Sequence, residues 1–188
     1  MVILNRITTK GGDTGETSLG NGVRIAKSSL RIAAIGAVDE ANASLGVARL
    51  YTADTPLDAM LKNIQNDLFD LGADLCVPPA SRRSEGALRI SEAQTVRLEQ
   101  EIEALNDELQ PLTSFVLPGG TPAAAYLHIA RTQVRRAERL IVRLQEEKNL
   151  GPETLRYINR LSDHLFVAAR HCNAKGAGDV LWSPGRNR

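Results

Sequence analysis

Two groups of residues in this sequence are of the types that bind and polarise phosphate. The first is the run Thr9-Lys10-Gly11-Gly12-Asp13-Thr14-Gly15-Glu16-Thr17-Ser18, with Lys27 a little further on. Glycines let a loop turn its N–H groups to one side, and flanking hydroxyls and ammonium groups add donors around an anion. The run is not a Walker A loop: Gly15 and Gly20 have the spacing, but Asn21 stands where the lysine is required. A G-x-G-x-x-G fingerprint is also absent. On composition alone the segment suits a phosphate cradle and a plain surface loop equally well.

The second group is Arg131, Arg135, Arg136, Arg139 and Arg143. Guanidinium forks match phosphate oxygens bidentately, so one face of such a helix suits a polyphosphate. These arginines point several ways round a helix, and some of them must serve ion pairs or subunit contacts. His128, Arg131, Arg135 and Glu138 recur at steps of three and four and share a face. Asn159, Asp163 and Arg170 flank the apolar side of the next helical segment in the same way. Polar stripes of this kind are either solvated flanks or the walls of a site.

Other chemistries find no residues here. Helix-bundle di-iron sites use Glu-x-x-His pairs, which do not occur. His128, His164 and His171 lack zinc spacing and read as polar or half-buried packing histidines. Cys76 and Cys172 lie far apart at helical positions and read as reduced core thiols. No Ser/His/Asp arrangement stands out, so in an enzyme the nucleophile arrives with the substrate.

The elements that must position these groups are almost entirely helical. Aromatic residues make up only 4%, while Ala, Leu, Arg and Glu fill long stretches at helical spacing. A first helix runs from Leu30 or Gly36 to Leu50, and a second from Leu57 to Val77, stopped by Pro78-Pro79. Residues Ala80 to Arg89 form a polar connection. A third helix opens at Ser91, where Gln94 completes capping-box spacing, and ends before Pro111. A fourth has Thr121 as N-cap and Pro122 at its first position and reaches Lys148. A fifth runs from Glu153 to Asn173 after Gly151-Pro152. In the fourth, Leu127, Ala130, Val134, Ala137, Ile141 and Leu144 form a coiled-coil-like apolar seam. Long helices with short connections predict an all-α antiparallel bundle. The predicted organisation is one domain: residues 1–27 as the glycine-rich loop, 28–175 as the bundle and 176–188 as an irregular tail.

Lys plus Arg number 23 and Asp plus Glu 22, so no global field draws the chain to nucleic acid or an anionic membrane. The start, Met1-Val2-Ile3-Leu4-Asn5-Arg6, lacks the apolar core of a signal peptide, and no later run suits a membrane span. The expectation is a soluble, cytoplasmic protein.

Five blocks together resemble the PduO-type ATP:cob(I)alamin adenosyltransferases. They are T-K-G-G-D-T-G-E-T-S-L-G from Thr9, the stretch Arg31 to Gly46 around A-V-D-E, F-V-L-P-G-G at Phe115, H-I-A-R-T-Q-V-R-R-A-E-R from His128, and Y-I-N-R-L-S-D-H-L-F-V-A-A-R from Tyr157. They span most of the chain in the family's order. The resemblance implies a five-helix bundle assembling as a homotrimer, with each active site between neighbouring subunits. It places ATP and Mg2+ at Thr9, Lys10, Gly11, Gly12, Asp13, Gly15, Thr17, Ser18 and Lys27, the ion held mainly by the ATP phosphates. The adjacent subunit contributes Arg135, Arg136, Ala137, Glu138 and Arg139, chiefly Arg135 and Glu138, with Asn159. Asp39 and Arg131 match an ion pair across the subunit interface. Phe115 matches the aromatic that closes the lower face of the corrin ring.

The catalytic set implied is Lys27, Arg135, Glu138 and Phe115. The reaction implied is attack of cob(I)alamin on the ribose 5′ carbon, releasing triphosphate, with a reductase and a cobalamin-dependent acceptor enzyme as partners. Gly11 departs from the family, whose loop carries Thr at that place. Two other classes fit the same residues: an ATP-dependent phosphotransferase, and a non-catalytic bundle that binds a nucleotide or delivers cobalamin.

Overall fold

Residues 7–79, 81, 84–147 and 150–188 are described by the computed structural model. Five helices carry the fold: α1 (Leu30–Arg49), α2 (Pro56–Cys76), α3 (Glu92–Asn106), α4 (Pro122–Glu147) and α5 (Pro152–Cys172). Each begins where local chemistry dictates. Ser29 caps α1 by accepting from Ile32 N, Thr55 caps α2 ahead of Pro56, and the Thr121 hydroxyl accepts from Ala124 N at 3.2 Å ahead of Pro122. The Gln94 side chain accepts from Ser91 N at 2.9 Å, the return half of the capping box.

The predicted boundaries shift at their ends. The first helix takes the earlier of its two possible starts, and α3 stops at Asn106, four residues short of Gln110. Lys148, the predicted end of the fourth helix, lies outside the described residues, as do residues 1–6 and, within the polar connection, residues 80, 82 and 83. One expectation needs correction. The segment before α1 is not all loop: β1 (Glu16–Ser18) pairs antiparallel with β2 (Arg24–Ala26), Thr17 opposite Ile25. Gly20-Asn21-Gly22 makes the turn between Leu19 and Val23, with Gly22 at φ 86° and Val23 N donating to the Asn21 side chain.

Helix α1 packs on both α2 and α4, and α4 on α5; a smaller contact of α5 with α2 closes these four into a ring, and α3 packs on the outside of α5. Helix α1 is antiparallel to α4, since Glu40 pairs with Arg136 while Tyr51 stacks on Tyr126 at 5.5 Å. The predicted α4 seam is core, with Leu127, Ala130, Val134, Ala137 and Ile141 fully buried against Leu45, Leu61, Leu165 and their neighbours. Two buried carboxylates cross-link the ring. Asp67 accepts from the Tyr157 hydroxyl at 2.8 Å and from Arg97; Asp74 accepts from Arg89 at 2.7 Å, Ile90 N at 3.1 Å and the Thr154 hydroxyl at 3.3 Å. Burial first, and Asp67 second, push the Tyr157 phenol well above its ordinary pKa.

Both cysteines are free and half-buried rather than core, at the ends of α2 and α5, and burial pushes the Cys172 thiol up to about 11. His128 and His164 are fully buried, deeper than the half-buried role expected of them. No helix among the described residues is long and apolar enough to cross a membrane.

Candidate active site

The glycine-rich run is closed by the hairpin that follows it. Asp13 N donates to Lys10 O at 3.2 Å, Gly15 N to Gly12 O at 3.2 Å, and Lys27 N to Gly15 O at 2.8 Å. Lys10 adopts a left-handed φ of 58° and Gly15 one of 83°. This folding returns Lys27 over the start of the loop, so that a Cβ at Gly12 would stand 2.8 Å from Nζ. At Gly11 a Cβ would meet only the Thr9 hydroxyl, at 3.8 Å, so glycine is not sterically required there.

Arg24 holds the loop from the far strand, donating to Gly11 O at 2.7 Å and to the Ser18 hydroxyl at 3.3 Å, with Glu16 3.7 Å away. Sequence reasoning missed this residue. The short alternating run Arg24-Ile25-Ala26 after Asn-Gly was the available signal.

Thr17, Ser18 and Lys27 line a groove of about 640 Å³ between the hairpin, α1 and α2, and Asp39 lies on its wall. The rest of the lining is largely apolar and includes Ile35, Leu68 and Phe69, the last 72% exposed. A volume of this size with a few polar groups at one end has the character of a small-molecule site.

The arginine-bearing face lies elsewhere on the ring. Asn159 Nδ2 donates to Glu138 Oε1 at 2.7 Å, tying α5 to α4 beside a second groove of about 490 Å³. Arg135 is exposed, and its side chain has no partner among the described residues; Arg139 turns back to donate to Arg135 O at 3.0 Å. Arg136 points to the other flank, where it pairs with Glu40 of α1. Ala137 is fully buried in the seam, so only its backbone could face a ligand on this side of α4.

Neither Asp39 nor Arg131 makes an ion pair among the described residues, and Arg131 Nε is buried without an acceptor. Burial, then the nearby Arg135 charge, lowers the Arg131 pKa from its ordinary value. A half-buried guanidinium without a counter-charge among the described residues is costly.

Phe115 is 77% exposed and sits at the end of the ring opposite the glycine-rich loop, at the entrance to α4. The 20 residues of α1 separate the two ends by about 30 Å at 1.5 Å per residue. The structure therefore gathers the predicted residues into three places: loop with Lys27 and Asp39, the α4 stripe with Asn159, and Phe115.

The family model described as cobalamin adenosyltransferase matches residues 7–172. A corrinoid adenosyltransferase of Mycobacterium tuberculosis is 46% identical over 190 aligned residues, covering 100% of this chain and 97% of that protein. The corrinoid adenosyltransferase PduO of Salmonella typhimurium is 42% identical over 164 residues, which span 87% of this chain and 48% of that longer protein. A variant of the PduO-type ATP:corrinoid adenosyltransferase from Lactobacillus reuteri, solved in complex with cobalamin and ATP, superposes with a TM-score of 0.87. It is 38% identical, and the match covers 94% of this chain and 99% of that one. Sequence over nearly the full length and the arrangement of five helices agree, and the chain belongs to the cobalamin adenosyltransferase family.

Proposed function

We propose that this chain transfers the 5′-deoxyadenosyl group of ATP to the cobalt of cob(I)alamin and releases triphosphate, at a site shared by neighbouring subunits of a homotrimer. The observation that carries this reading is the separation just described. Lys27 and its loop, unpaired Arg135 beside the Glu138–Asn159 pair, and exposed Phe115 occupy three places that one chain does not close around one ligand. Adjacent chains bring such faces together. The unpaired Asp39 and Arg131 lie on two of them and are complementary in charge.

The cobalt lone pair of cob(I)alamin attacks C5′, the C5′–O5′ bond breaks, and its electron pair leaves on the triphosphate. No general base is needed, so the protein's task is to align the reactants and to meet the charge that develops on the leaving group. Lys27 from one chain and Arg135 from its neighbour meet that charge. Asn159 fixes one oxygen of Glu138, leaving the other for a donor on the nucleotide. Among the described residues no group of three His, Cys, Asp or Glu is placed to hold a metal. Magnesium would come with the ATP, held mainly by its phosphate oxygens beside the Thr17 and Ser18 hydroxyls, and would supply further charge neutralisation.

Phe115 serves the preceding reduction. An axial donor below the cobalt raises the orbital that must accept the electron, and an apolar ring in that position keeps base and water away. The electron comes from an external one-electron reductase, and the product passes to a cobalamin-dependent enzyme.

Subunit mixing tests the shared site. Lys27→Ala and Arg135→Ala homo-oligomers are each expected to be nearly inactive. Dissociating and reassembling them together should restore activity, because some interfaces then pair an intact loop with an intact Arg135. Mixed assemblies, verified by mass spectrometry, that stay as inactive as either parent would contradict a shared site.

A further inference from the structure

The C-terminal segment is bound to the residues that carry Phe115. After Cys172 the backbone turns left-handed at Ala174, Lys175 and Gly176, with φ of 51°, 54° and 87°, and the chain doubles back. Leu117 N donates to Val180 O at 2.7 Å, Trp182 N to Phe115 O at 2.8 Å, and the Ser114 hydroxyl to Trp182 O at 2.7 Å. The Trp182 ring stands 5.9 Å from that of Phe115, tilted by 59°. A pairing this short and this open to water does not sustain itself.

What holds it is buried. Arg170 Nε donates to Asp179 Oδ2 at 2.7 Å, with side chains 7% and 3% exposed. The same guanidinium reaches Gln110 O at 2.9 Å, at the start of the connection that carries Phe115. The other Asp179 oxygen accepts from Asn173 Nδ2 at 3.2 Å. Asn173 in turn donates to Gly119 O at 3.1 Å and accepts from Thr121 N at 2.9 Å, at the end of that connection. Gly120, at φ 99°, is required there because a Cβ would overlap the Asn173 side chain. The connection is thus pinned at both ends by α5, and Asp179 joins the two pins to the tail one residue before the pairing begins. Capping of α5 alone accounts for Asn173. It does not account for an acid drawn from the tail, nor for the reach of Arg170 to Gln110.

We infer that Asp179 is a positioning residue for the corrinoid reaction: clamped by Arg170 and Asn173, it latches the tail against residues 114–117 and so fixes the Phe115 ring. The inference rests on the reading of Phe115 as the group below the cobalt.

Trp182 is the single tryptophan of the chain, so its fluorescence reads the latch without any turnover. In Asp179→Ala with an unchanged far-ultraviolet helix signal, Trp182 emission should shift to the red and become more accessible to acrylamide. The same variant with cob(II)alamin and ATP should lose the four-coordinate spectrum. Its kcat with cob(II)alamin should fall about a hundredfold while KM for ATP stays within about twofold, as expected for a group displaced from productive geometry. Asp179→Asn, which keeps the shape and an acceptor for Arg170 Nε, should show both changes in part, and carries the test if the alanine variant does not fold. Unchanged Trp182 emission in the variants overturns the latch, as does a released tail with the four-coordinate signal retained. Phe115→Ala separates the two readings. If it keeps the four-coordinate signal, the role of Phe115 falls and the positioning claim falls with it; if it loses the signal while Asp179→Ala keeps it, only the latch falls.

Discussion

Lys27 carries its ammonium over the α-carbon of Gly12, where a Cβ would come within 2.8 Å of Nζ and 3.1 Å of Cε. The far end of a lysine moves easily, so Gly12→Ala should displace the charge without unfolding the hairpin. We expect unchanged thermal stability and a higher KM for ATP in Gly12→Ala. Lys27→Ala should lose about 2 to 4 kcal/mol in kcat/KM, the range for removing a charged partner of an anion. Steady-state kinetics checks both; wild-type kinetics in Lys27→Ala would make it a surface charge.

Arg135 and Arg136 are adjacent in sequence but serve different neighbours. Arg135→Ala should cost about 2 to 4 kcal/mol in kcat/KM with little change in stability, since the side chain is exposed and has no partner among the described residues. Arg136→Ala removes an exposed pair with Glu40 and should cost about 1 kcal/mol of stability or less, with ATP use near wild type. Kinetics and denaturant midpoints of the two variants side by side decide the assignment.

The helices and the α4 stripe were legible because periodicity and capping are local properties. Ser91 with Gln94, Thr121 with Pro122, and the seam from Leu127 to Leu144 each announce their element within a few residues. The hairpin was harder: its strands are three residues long, and glycine-rich composition masked the Arg24-Ile25-Ala26 alternation. Arg136 could not be told from Arg135 until α1 was placed beside α4. Asp67 and Asp74 were not legible as buried acids, since their partners Tyr157 and Thr154 lie 90 and 80 positions away, and the pairing of Asp179 with Arg170, nine positions back, depends on the left-handed turn after Cys172. The tail read as irregular because its pairing depends on residues more than 60 positions earlier.

Asp39 and Arg131 have no ion-pair partner among the described residues, and we expect each to find the other across a subunit interface. Asp39→Arg alone should lower activity and weaken assembly through like-charge contact, and Asp39→Arg with Arg131→Asp should recover part of both. Light scattering together with activity reads the outcome. A fully active monomer, or a single reversal with wild-type assembly and kinetics, would remove this contact from the account.

His128 is buried beside Phe166, and neither of its ring nitrogens has a hydrogen-bond partner among the described residues. Burial first, and the charge of Arg131 second, lower its pKa below the ordinary value of 6.5. The folded state therefore holds fewer protons than the unfolded state as pH falls below about 6.5, and stability declines from there down through the folded pKa. This group contributes a slope of at most about 1.4 kcal/mol per pH unit. His128→Phe should flatten the decline between about pH 6.5 and pH 5, above the range where ordinary carboxylates titrate. Denaturant midpoints across that interval compare the two proteins; identical profiles would contradict the assignment.

The most direct measurement combines the protein with magnesium ATP and chemically reduced cobalamin and follows the visible spectrum while the phosphate product is identified. The expected result is conversion of the cob(I)alamin spectrum to that of an alkylcobalamin with release of inorganic triphosphate, slowed at least about thirtyfold in Lys27→Ala and Arg135→Ala. A spectrum that stays that of cob(I)alamin, or ADP appearing as the product, would contradict adenosyl transfer.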